Sequence, residues 1–166
     1  MRFIKYIVII LLCLFLGNCD LWKGELDIDI GDYEAQLAVW NSQNMLDYQI
    51  AIEFRGYAHG FTVSTINVKN GKPESSDPPS WLEEGKLSTI PEFYSYIKSE
   101  EQRIIDIHKK TTANHTLKVR YNTEYHYPEN IHIEVSHQSS YPGNWSVITW
   151  HITLTPLEEQ ETGSEE

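Results

Sequence analysis

The chain reads as an α+β domain, an antiparallel sheet of about five strands with two helices packed on one face, in the order α-β-β-α-β-β-β. Two patterns predict it. Strict apolar alternation at Leu46, Tyr48, Ile50, Ile52 and Phe54, and again at Ile131, Ile133 and Val135, marks half-buried strands. Helical spacing at Tyr33, Leu37, Trp40 and Met45, and at Phe93, Tyr94, Ile97, Ile104 and Ile107, marks two helices with one apolar face each. Strands joined by tight connectors form hairpins, so the sheet is expected to be antiparallel with the helices gathered on one side.

Before the first helix comes an export leader. Arg2 and Lys5 precede an apolar run from Tyr6 to Leu16, followed by Gly17, Asn18 and Cys19. A run of that length falls short of the ~20 residues a helix needs to cross the hydrocarbon core, so removal is expected rather than retention as a span. Leu16-Gly17-Asn18-Cys19 resembles a bacterial lipobox. On that resemblance residues 1–18 are a signal peptide, Cys19 becomes the lipidated (diacylglycerol and palmitate-bearing) N-terminus, and the lipid bilayer is the first partner. Asn18 is larger than the residue usual before such a cysteine and resembles the relaxed form found in spirochaetes. The domain then lies in the cell envelope, outside the cytoplasm.

Residues 19–30 are expected to be a tether, 31–155 the single domain, and 156–166 a disordered acidic tail, since PLEEQETGSEE has too little apolar surface to offset the entropy cost of ordering. Asp27, Asp29 and Asp32 do not make a calcium loop, because Asp32 and Ala38 stand where the EF-hand requires Gly and Glu.

Along the domain, the first helix runs over Asp32 to Asn44, with Glu34 near the positive end of its dipole. A strand follows from Leu46 to Phe54, then a connector at residues 55–60. A second strand from Phe61 to Lys69 ends in Asn70-Gly71, and its apolar parity slips between Val63 and Ile66, which predicts a bulge. Lys72 to Leu87 is a turn-rich excursion around Asp77-Pro78-Pro79. Ser88 or Thr89 caps the second helix, which carries Pro91 and Glu92 in its first turn and Lys109 and Lys110 at its end. Three strands close the chain: Thr116 to Tyr121, Asn130 to His137 and Trp145 to Thr155.

These landmarks resemble an uncharacterised domain-of-unknown-function family of small bacterial envelope proteins, many of them lipoproteins. The resemblance is carried by Trp40, Asp47-Tyr48, Val68, Asn70-Gly71, Thr89-Ile90 with Phe93 and Ile97, and Tyr121-Asn122 followed by Tyr127-Pro128 and Ile131. It spans Glu34 to Thr153. Many members carry cysteines where this chain has Gly56, Tyr57 and Ala58, so no thiol role carries over. The resemblance implies a single lipoprotein domain and no activity.

Composition narrows the function. The net charge is −11, and loss of Arg2 and Lys5 with the leader leaves 24 acidic residues against 11 basic ones, so polyanions are repelled and nucleic acid is excluded as a partner. Cys13 lies in the leader and Cys19 would be acylated, leaving neither a disulfide framework nor a thiolate metal site. There is no GxSxG elbow and no GxxxxGK phosphate loop. No cofactor is called for, and no catalytic residue is assigned. The first reading is a non-enzymatic binding module for an envelope protein, peptide or glycan. Its contacts would come from the connector aromatics Tyr57, Trp81, Tyr127 and Trp145, rings suited to recognition. The alternative is a metal-dependent or acid/base hydrolase using His132, Glu134 and His151, of which the first two share one face of a strand.

Overall fold

The computed structural model describes residues 23–56, 60–74, 87–136 and 145–157. The elements run β1 (Leu26–Asp29), α1 (Tyr33–Ser42), β2 (Tyr48–Gly56), β3 (Gly60–Lys69), β4 (Lys72–Pro73), α2 (Ile90–His108), β5 (Asn114–Tyr121), β6 (Pro128–Ser136) and β7 (Trp145–Pro156).

The strands form one seven-stranded sheet in the order β1-β5-β6-β7-β2-β3-β4. This corrects the expected five-stranded antiparallel sheet and its element order. β1 pairs parallel with β5, Leu26 opposite His115 and Asp29 opposite Lys118, so the sheet is mixed and mostly β. Four residues alternating acid and aliphatic carry too short a period to separate from a polar linker. Long-range pairing makes them a strand: Ile28 and Ile30 pack against the core, while Asp27 turns to the other face and meets Lys118 at 2.8 Å. The segment read as a tether thus contains an element of the sheet. β4 is the second addition. It exists because Asn70 (φ 51°) and Gly71 (φ 71°) close a tight hairpin, a left-handed pair of conformations that Asn-Gly adopts readily.

The last described strand is not at the edge. β7 sits between β6 and β2, antiparallel to both, with Trp145 to His151 paired to β6 and Ile148 to Pro156 paired to β2. The first hairpin is regular from Tyr48–Val68 to Gly56–Gly60, so the expected bulge in β3 is absent. The parity slip has another cause: Phe61 and Val63 are apolar side chains on the solvent side. The one register shift among the paired strands falls at Arg120/Tyr121.

Both helices cover the same sheet face. Buried strand residues keep one parity: Tyr48, Ile50, Ile52 and Phe54 on β2, Ile66 and Val68 on β3, Ile131 and Ile133 on β6, Trp150, Ile152 and Leu154 on β7. They form one cluster with Tyr33 and Trp40 of α1 and Ile90, Phe93, Tyr94, Ile97 and Ile104 of α2. Trp150 is its hub, with ring centroids 4.6 Å from Phe54 and 5.9 Å from both Phe93 and Tyr96. Trp40 meets Tyr48 edge-on at 5.7 Å. The start of α2 is a capping box from Thr89 to Glu92, the Glu92 carboxylate accepting from the amides of Ser88 (2.6 Å) and Thr89 (3.0 Å). None of the described helices is long and apolar enough to cross a membrane.

Candidate functional site

With one sheet face under helices, the other carries the odd-numbered residues of β1, β2, β3 and β7 and the even-numbered residues of β5 and β6. Register places them in rows. One row runs Asp29, Lys118, His132, Thr149, Arg55, Phe61, and the next runs Arg120, Asn130, His151, Glu53, Val63.

Most polar groups on this face are satisfied locally. His132 Nδ1 lies 3.2 Å from Thr149 Oγ1, and its Nε2 lies 3.6 Å from Glu134 Oε2. With the Thr149 hydroxyl donating to Nδ1, the Nε2 hydrogen faces Glu134, and the ring is held from both sides. Arg120 pairs with Glu129 at 2.6 Å. Gln49 Nε2 donates to Asn67 Oδ1 at 2.8 Å. The ion pair with Asp27, its carboxylate accepting from the ammonium, raises the pKa of Lys118.

The apolar exception is local. Phe61 is 59% exposed and Val63 54%, side by side on β3. The Arg55 guanidinium stands 5.1 Å over the Phe61 ring and 3.8 Å from Glu53. A guanidinium held between a ring and a carboxylate on an exposed strand presents cationic, aromatic and apolar surface in one place. Sequence reasoning passed over this group. The signal was present as the parity slip in β3, once read as an outward-facing apolar pair.

The residues expected to act fall apart. His132 and Glu134 do come together, and His151 shares their face, but it lies diagonally one strand over, opposite Asn130 and Glu53. Among the described residues no group of three or more His, Cys, Asp or Glu is arranged to hold a metal. Tyr127 is buried, 4% exposed, and its hydroxyl accepts a hydrogen bond from the Leu154 amide at 3.2 Å. Its ring belongs to the core cluster and offers no face to a partner. Trp145 opens β7 opposite Ser136. Tyr57, Trp81 and Cys19 lie outside the described residues.

A family model described as "Family of unknown function (DUF6174)" matches residues 32–140. The chain belongs to the DUF6174 family. No curated protein and no solved structure matches it. The DUF6174 match covers α1 through β6 and stops short of β7, which the sheet places at its centre. It also omits β1, so both strands beyond the match are paired to strands within it.

Proposed function

We propose that this DUF6174 protein is a lipid-anchored envelope protein, acylated on Cys19, whose domain is a non-enzymatic binding module. The observation that supports it is the sheet face that no described helix covers, where Phe61 and Val63 stand more than half exposed beside Arg55 while the polar groups around them are largely paired to one another. Large exposed apolar side chains on an ordered strand are the kind of surface a partner covers. Tyr57 and Trp145 of the connector set remain part of the proposal, and Trp81 with them.

The experiment is crosslinked capture from the native envelope, comparing the natural chain with a Phe61→Ser, Val63→Ser double variant. Loss of a specific partner with unchanged thermal unfolding is expected, because neither side chain contributes to the core. Capture indifferent to the double variant sinks the reading of this face. A turnover abolished by His132→Ala would instead favour the hydrolase alternative, which retains the His132–Glu134 contact as its nucleus.

A further inference from the structure

The sheet starts much closer to Cys19 than the sequence suggests, and that fixes which end of the domain meets a membrane. The Glu25 amide donates to Asn114 Oδ1 at 2.7 Å, and the His115 amide donates to the Glu25 carbonyl at 2.8 Å. Gly24 lies so close to the turn between α2 and β5 that a Cβ there would stand 2.1 Å from the Ala113 carbonyl oxygen. The chain is therefore pinned to that turn from Gly24 onward.

From Cys19 to Gly24 is five residue steps, a reach of ~17 Å when fully extended. The sheet is wider than this. Its six strand spacings separate β1 from β4 by roughly 29 Å, and the Asn70-Gly71 hairpin lies at the opposite end of the strands as well as the opposite edge. A tether to residue 31 would let the domain turn any side to the bilayer; one ending at Gly24 does not.

We infer that the turn between α2 and β5, carrying exposed Lys109 and Lys110, rests on the bilayer and holds the phosphates of anionic lipid headgroups. The inference rests on the acylation of Cys19 proposed above. Charge placement favours this orientation. Asp106 is paired to Lys109 at 2.9 Å, and Asp27, further along β1, is paired to Lys118 at 2.8 Å, which leaves Glu25 among the carboxylates near the turn. The glutamate-rich tail after Pro156 departs from the far end, where Pro156 pairs with Tyr48. An anionic surface repels that end and attracts lysines that lie within a Debye length of it. The sheet then stands with its open face to the side, accessible to a partner.

The test maps lysines captured by lipid. Protein purified from its own membranes, and separately the mature chain coupled through Cys19 to a maleimide-headgroup lipid, are placed on phosphatidylcholine and phosphatidylglycerol vesicles doped with an amine-reactive headgroup lipid. Adducts are located by peptide mass spectrometry. Lys109 and Lys110 are expected to exceed Lys69 and Lys72 by about fivefold or more, given the ~17 Å reach. Inserting a flexible Gly/Ser spacer of about ten residues between Trp22 and Lys23 should bring the ratio toward one. In phosphatidylcholine alone the preference should shrink. A ratio near one at native spacing, or one unmoved by the spacer, overturns the orientation, and a ratio indifferent to headgroup charge overturns the lysine contact. If the native protein carries no acyl chain, the lipoprotein reading fails while the coupled chain still reports the geometry.

Discussion

The Tyr48 hydroxyl accepts a hydrogen bond from the Ile90 amide at 3.2 Å, tying the first residue of β2 to the first residue of α2. Both residues are buried, 1% and 0% exposed, so the phenol supplies a partner that water cannot. The amide is one of the unpaired donors that every helix leaves at its start.

Tyr48→Phe keeps the ring and removes that acceptor. Leaving a buried amide without a partner costs about 1–3 kcal/mol, and urea unfolding should show a loss in that range with an unchanged slope. A loss near zero would mean that the amide finds another acceptor.

Trp40 is 4% exposed and packs edge-on against Tyr48. Trp40→Ala should destabilise the domain by ~3–5 kcal/mol, the range for deleting a large buried aromatic. A change under about 0.5 kcal/mol, the size of most surface substitutions, would contradict the burial of α1.

Gly24→Ala tests the entry of the chain, because the added methyl would meet backbone atoms of Ala113 and Asn114 that cannot rotate away. The expected result is local: β1 detaches, and amide exchange at His115 accelerates as its bond to the Glu25 carbonyl is lost. The core amides of β2 and β7 should exchange as before. Uniform acceleration across the sheet would make β1 part of one cooperative unit with them.

The buried phenols predict alkaline unfolding. Desolvation, with the Glu100 carboxylate adding to it, pushes Tyr96 up to about 12 from an ordinary 10.0. Desolvation likewise carries Tyr94 and Tyr121 well above the usual phenol range. Below pH 10 both folded and unfolded chains keep these protons, so stability is unaffected. Above it the unfolded chain releases them first, and stability falls as pH rises, by ~1.4 kcal/mol per pH unit for each such group. Tyr96→Phe should flatten the decline of stability above pH 10, measured by urea unfolding across that range. A decline unmoved by the substitution would contradict the burial.

Legibility followed the period of the pattern. β2 and β6 were readable because nine-residue strands with one buried face repeat their alternation several times, and α2 because five buried residues recur on one helical face between a capping box and terminal lysines. β1 and β4 repeat nothing, being four and two residues long. Tyr127 sits beside Pro128 and looked like a connector ring. It is a core residue because the bulge at Arg120/Tyr121 and the return of β7 bring Leu154 over it.

The amino-acid sequence by itself determined the helices, the long strands, the acidic charge and the absence of a GxSxG elbow or a GxxxxGK loop, since each is written in local spacing or composition. Tertiary structure decided the rest: that β1 joins the sheet in parallel, that β7 lies at its centre, that His151 stands one strand over from His132 and Glu134, and that the face carrying Phe61 and Val63 is the one the helices leave open. These are relations between residues far apart in the chain, fixed by register and by which sheet face the helices cover, and no local pattern encodes them.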